Sequence, residues 1–130
     1  MSSLFGLIAR PGPTAYAASR YAVRGFSDAL RHELEGTGIG VSTVHPRGVA
    51  TSIARKARRP EGVNSAEIEA EERRLERLLR LPPERAAEII VTGIERRRAR
   101  IIVGPDARVA SFIERLLPVS YWSVLRKGAS

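Results

Sequence analysis

The sequence predicts an α/β fold with a parallel sheet, and three observations carry that prediction. Two short β-branched runs, 39–44 and 101–103, are separated by segments with helical apolar spacing. Proline- and glycine-containing turns punctuate the boundaries. Strands separated by helices imply parallel crossovers, and so a doubly wound layer arrangement.

The elements follow in order. From Thr14 to Glu35, Ala18, Ala22, Val23, Phe26, Ala29, Leu30 and Leu34 recur at three- and four-residue spacing and predict one long amphipathic helix. Pro11-Gly12-Pro13 precedes it as a turn, and Gly36 follows it as a left-handed cap. Ile39, Val41 and Thr43 alternate with small residues and predict a buried strand closed by Val44; His45-Pro46-Arg47-Gly48 is expected to break it. Lys56 to Gly62 reads as a charged loop. Asn64 and Glu67 have capping-box spacing for a second helix carrying Leu75, Leu78 and Leu79. Leu81-Pro82-Pro83-Glu84 ends that helix and starts a third, with Ala86, Ala87, Ile90, Val91 and Ile94 as its expected core face. Ile101-Ile102-Val103 predicts a second strand and Gly104-Pro105-Asp106 a turn. Val109, Phe112, Ile113, Leu116 and Leu117 predict a last helix, stopped by Pro118.

With 130 residues the chain supports one domain with a core. It contains no cysteine, which excludes disulfides and thiolate metal sites and points to a reducing, cytoplasmic compartment. No metal site is expected. The opening residues lack a basic region followed by an apolar run, and no apolar run approaches the roughly 20 residues of a transmembrane helix. The net charge is +8, and all but two of the 22 basic residues, Lys56 and Lys127, are arginine. A nucleic-acid partner is nevertheless disfavoured: the arginine runs at 55–59 and 96–100 are not interleaved with aromatic residues. The tail from Leu116 to Lys127 is apolar, aromatic and then basic. That pattern by itself suits a membrane surface.

The chemistry-bearing constellation is Ser3, Tyr16 and Arg20. Tyr16 and Arg20 are i and i+4 on one helix face. A cation there favours the phenolate and makes Tyr16 a better proton donor and acceptor. A serine beside it can hydrogen-bond and orient a carbonyl oxygen. Such a set handles protons only; reduction of a carbonyl would also need a cofactor to supply hydride, since no side chain does. On bare spacing the pair is a weak signal, because a tyrosine followed by a basic residue is common on helices.

The surrounding text raises it. Ser2-Ser3-Leu4-Phe5-Gly6, Pro11-Gly12, Tyr16-Ala-Ala-Ser-Arg20-Tyr-Ala-Val-Arg-Gly-Phe26, Leu30-Arg-His-Glu-Leu34 and Gly38-Ile-Gly-Val-Ser-Thr-Val-His-Pro46 leading to Thr51 resemble the short-chain dehydrogenase/reductase family. The stretch from Pro83 to Asp106 is similar to the family as well, so the resemblance covers nearly the whole chain. It implies the C-terminal half of a Rossmann-like doubly wound domain and NAD(P)-dependent oxidoreduction of a small alcohol or carbonyl substrate. It implies Tyr16 as general acid/base, Ser3 as carbonyl orienter and Arg20 in place of the family's lysine. It sets Pro46, Gly48, Val49 and Thr51 at the nicotinamide end of NAD or NADP. It divides the chain into a catalytic-helix and cofactor-loop region (1–54), a substrate-lid-like region (55–81) and a C-terminal region (82–130). It also implies homo- or hetero-oligomer contacts through the helix at 14–35. For the tail from Leu116 to Lys127 it implies, instead of a membrane surface, packing near a substrate pocket or against a second subunit.

Three departures accompany the resemblance. No Gly-x-x-x-Gly-x-Gly motif occurs anywhere, Arg20 stands where the family has lysine, and Arg47 stands where a glycine usually follows the proline. Arginine keeps the charge but is bulkier and does not deprotonate, so a proton relay through it is poorer. The expectation is a truncated oxidoreductase, weakly active or inactive as this chain. The alternative is a non-catalytic fragment or interaction module that pairs with a full-length relative through the helix at 14–35.

Overall fold

The computed structural model describes residues 1–51, 73 and 79–127. The expected charged loop and most of the second helix, with Asn64, Glu67, Leu75 and Leu78, lie outside the described residues. A 3-10 turn at Leu4–Gly6 is followed by α1 (Thr14–Glu33), β1 (Thr43–Pro46), α2 (Pro83–Glu95), β2 (Arg100–Val103), α3 (Pro105–Leu116) and α4 (Tyr121–Lys127). The two strands are parallel, in register from Thr43 beside Arg100 to Pro46 beside Val103.

The first strand corrects the sequence expectation. It begins at Thr43, with Ile39 exposed outside it, and it includes Pro46. The reason lies in the alternation of the ladder. The N–H groups of Thr43 and Arg47 donate to Ala99 O (2.9 Å) and Val103 O (3.0 Å). Pro46 lies between them in the alternation, so its missing donor belongs to the other edge, where β2 is not the partner. That edge is occupied farther back by Ser2, whose N–H donates to the Val44 carbonyl at 2.9 Å. β1 therefore has a neighbour on both sides, which explains why Val44 and His45 are buried.

Two core clusters flank the strands. Leu4, Leu7 and Ile8 pack with Ala107 and Ala110 of α3, while Val44, Ile101 and Val103 pack with Ala86 of α2. The helices meet the strands through small residues. A Cβ on Gly93 of α2 would lie 2.7 Å from Ile101, so glycine there sets the helix–strand spacing. The expected core faces hold for Ala86, which is buried, and for Ile90, which packs on the core, and are corrected elsewhere. α2 buries Ala86 and Gly93, leaving Val91 and Ile94 exposed; α3 buries Ala107, Ala110 and Ser111, leaving Val109, Phe112 and Leu116 exposed. Likewise α1 buries only Ala17 fully, and Phe26 is 70% exposed. Gly36 does adopt the left-handed conformation expected after α1, with φ of 83°.

Arginine side chains tie α1 to the sheet. Arg31 donates to Val41 O (3.2 Å), Ala99 O (3.2 Å) and Asp28 Oδ1 (2.8 Å), and so spans the helix, the approach to β1 and the approach to β2. At the other end α4, not foreseen in the sequence, anchors through Tyr121. Its hydroxyl accepts from Ala9 N–H at 2.8 Å, and its ring packs on the Leu4–Ile8 cluster. Among the described residues, no helix is long and apolar enough to cross a membrane.

Candidate functional site

Ser3 caps the 3-10 turn: it is extended, and its Oγ accepts from Phe5 N–H at 3.2 Å. The turn is pressed onto α1 at Gly6, where a Cβ would come within 2.8 Å of the Arg20 carbonyl oxygen. Ser2 Oγ donates to that same carbonyl at 2.9 Å. These contacts bring the turn to the first two helical turns of α1, where Tyr16 and Arg20 sit. The Phe5 ring meets the Tyr16 ring edge-on, with centroids 5.9 Å apart and planes at 76°. The Arg20 guanidinium carbon lies 4.7 Å from the Tyr16 ring centroid. The expected cation is thus beside the tyrosine and makes a cation–π contact with its ring. Tyr16 remains 44% exposed, so a ligand can reach it.

His45 is the residue whose importance the sequence understated. It reads there as a strand-end residue before a proline, yet its side chain is wholly buried. Ring Nδ1 lies 2.8 Å from the Ser3 carbonyl oxygen. That oxygen can only accept, so Nδ1 carries the proton and Nε2 is left as an acceptor. Burial holds the ring below its ordinary range, opposed by the hydrogen bond to Ser3. A neutral imidazole thus braces the serine turn against β1. The available sequence signal was two-residue alternation from Thr43, which puts His45 on the Thr43 side of the ladder.

Beyond β1 the backbone is held by short bonds rather than left loose. Ala50 N–H donates to Leu81 O (2.9 Å), and Leu81 N–H to Gly48 O (2.8 Å), forming a parallel bridge between Val49 and Leu81. Gly48 has φ of 69°, a conformation that suits glycine. Arg47, Gly48, Leu81, Gly104 and Asp106 line a cleft of about 440 Å³ just past the carboxyl ends of both strands. In open α/β sheets this is where ligands bind. Gly104 keeps the cleft's floor close, since a Cβ there would lie 2.9 Å from Arg47 O. Pro46 ends β1 and Thr51 lies exposed at the limit of the described segment.

The structure therefore joins the serine turn, Tyr16 and Arg20 in one cluster, and connects that cluster through His45 to the strand end that opens into the cleft. Among the described residues, two buried nitrogens have no hydrogen-bond partner, Arg20 Nε and His45 Nε2. The first is a donor and the second an acceptor, and both belong to this cluster. No group of His, Asp and Glu among the described residues could hold a metal ion.

A family model described as short chain dehydrogenase matches residues 1–62. A putative oxidoreductase, SadH, of Mycobacterium tuberculosis is 39% identical over 100% of this chain and 47% of its own length. A dehydrogenase/reductase SDR family protein 7-like of Drosophila melanogaster is 30% identical over 99% of this chain and 38% of its own. Among solved structures, a short-chain dehydrogenase/reductase from Burkholderia phymatum in complex with NAD superposes with a TM-score of 0.67 at 27% identity, covering 88% of this chain and 44% of that one. A short-chain dehydrogenase from Streptomyces avermitilis, at 23% identity and a TM-score of 0.61, shares the fold. The chain belongs to the short-chain dehydrogenase/reductase family. It spans about half the length of the curated relatives it matches.

Proposed function

We propose that this chain carries the proton-transfer and nicotinamide-end portion of an NAD(P)-dependent oxidoreductase acting on a small alcohol or carbonyl compound. The observation that carries the reading is the packing of Tyr16 against Phe5 of the Ser3 turn, with Arg20 over its ring. Tyr16 Oη exchanges a proton with the substrate oxygen, and Ser3 Oγ hydrogen-bonds that oxygen and holds it in place. When bound, the nicotinamide supplies or accepts hydride. Pro46, Gly48, Val49 and Thr51 are the residues that would border its ring. The unpartnered Arg20 Nε fits a ribose hydroxyl acceptor. The residues present thus suit the nicotinamide end, whereas no glycine-rich pyrophosphate turn occurs in the sequence. Choice between NAD and NADP belongs to residues not found here.

The test is a graft of this chain onto the nucleotide-binding half of the mycobacterial relative, assayed for reduction of a carbonyl panel by NADH and NADPH. Turnover is expected to be low with Arg20 and to rise in Arg20→Lys. Adding Tyr16→Phe to the Arg20→Lys graft is expected to lower kcat by about 10²–10⁴-fold. A Tyr16→Phe graft as active as its parent overturns the assignment of the acid/base.

A second reading is favoured by one observation, the exposed α1 face that includes Phe26. It makes the chain a module that pairs with a full-length relative. Stoichiometric co-purification with such a relative from the native cells, lost in Phe26→Glu, is its expected signature.

A further inference from the structure

The end of α2 and the free edge of β2 form a groove of about 720 Å³ that shares no residue with the candidate catalytic and cofactor set. Five arginines enter its wall: Arg85 and Arg96 from α2 and its cap, Arg98 from the following turn, Arg100 from β2 and Arg108 from α3. The one carboxylate in the wall, Glu88, is already paired with Arg85 at 2.5 Å. Among the described residues, Arg96, Arg98, Arg100 and Arg108 form no ion pair. Arg96, Arg98 and Arg108 thus line one concavity without an ion pair, while Arg100 beside them also feels the carboxylates of Asp28 and Glu114.

The backbone adds to this. β2 is bonded to β1 on one side, and among the described residues its other edge has no strand partner. Alternate N–H groups there point outward toward the groove.

We infer that the groove binds a small polyphosphate, a ligand with two or more linked phosphate groups. Guanidinium forks match phosphate oxygens in bidentate pairs, and several of them from different elements select a ligand with more than one such group. The volume falls within the range of small-molecule sites, roughly 300–1,000 Å³. No aromatic residue lines the groove, so it offers no stacking platform for the bases of a single-stranded nucleic acid. Recognition is by the phosphate end of the ligand.

The test is calorimetric titration of the full chain with inorganic triphosphate in moderate salt. The double variant Arg96→Gln/Arg108→Gln is compared with Arg115→Gln/Lys127→Gln, which removes two charges outside the groove. One saturable site is expected, weakened at least about tenfold by the groove pair and by less than about threefold by the control pair. Equal losses in the two variants mean diffuse attraction by net charge and overturn the site. Citrate binding as tightly as triphosphate overturns the phosphate preference. A DNA oligonucleotide that binds more tightly than triphosphate and takes up several chains overturns the small-ligand assignment. All substituted residues are exposed. Arg98→Gln alone repeats the comparison should circular dichroism show the groove pair to be misfolded, and an unweakened site in it then counts against the proposal.

Discussion

His45 shows how one buried side chain links stability to pH. Burial lowers its affinity for a proton below the ordinary value of 6.5. Between the folded value and 6.5 the unfolded chain therefore binds more protons, and stability rises with pH. The contribution is complete above about 6.5 and is lost as pH falls through the folded value. Urea midpoints taken across the range from mildly alkaline to mildly acidic pH are expected to fall on acidification in the native chain and to flatten in His45→Asn. The same slope in both would place the acid sensitivity elsewhere. Tyr21 behaves oppositely. Its hydroxyl donates to Leu7 O at 2.6 Å, and burial, followed by the nearby Tyr121, pushes it up to about 12. Its contribution is present below pH 10 and lost between 10 and about 12. In an alkaline ultraviolet titration, Tyr21→Phe is expected to remove the latest-ionising phenol.

At the scale of elements, the packing is set by glycine and alanine rather than by the large apolar residues. Gly93→Ala would drive a methyl into Ile101 and is expected to destabilise the chain by about 1–3 kcal/mol. Adding Ile101→Val opens space at the same contact, so the double variant should recover part of the loss in a denaturation midpoint. Strict additivity would mean that the two residues do not share a contact. Arg31 plays the corresponding role for α1, since its guanidinium bonds two backbone carbonyls on separate segments. Arg31→Lys keeps the charge but loses the fork. It is expected to cost about 1–2 kcal/mol and to raise amide exchange at the Val41–Thr43 segment.

For the molecule as a whole, the notable feature is apolar surface left on the outside. Phe26, Val109, Phe112 and Leu116 are all more than half exposed, on α1 and α3. Surface of this kind marks contact with another chain or a liability to associate. Sedimentation of the full chain is expected to show mass rising with concentration, and Phe26→Glu/Phe112→Glu to suppress it. A monomer at all concentrations would mean that these faces contribute nothing to association.

The sequence alone determined α1, α2, α3 and the two strands in their order, though not α4, because proline, glycine and helical periodicity act locally. The paired prolines marked the start of α2 without any tertiary information, whereas Gly104-Pro105-Asp106, expected as a turn, form the cap and first two residues of α3. It also determined the family, since the Ser3, Tyr16 and Arg20 pattern and its surrounding residues are read in one dimension. Only the tertiary structure decided which face of each helix is buried. An apolar stripe states that a side wants cover, but the closest approach goes to the side with the smallest side chains, so Gly93, Ala107 and Ala110 take positions against the sheet while Val91, Ile94, Val109, Phe112 and Leu116 stay outside. It decided too that Pro46 belongs to β1 and that His45 braces Ser3. Both depend on which edge of the strand each backbone and side-chain group faces, and that is settled by neighbours remote in the chain.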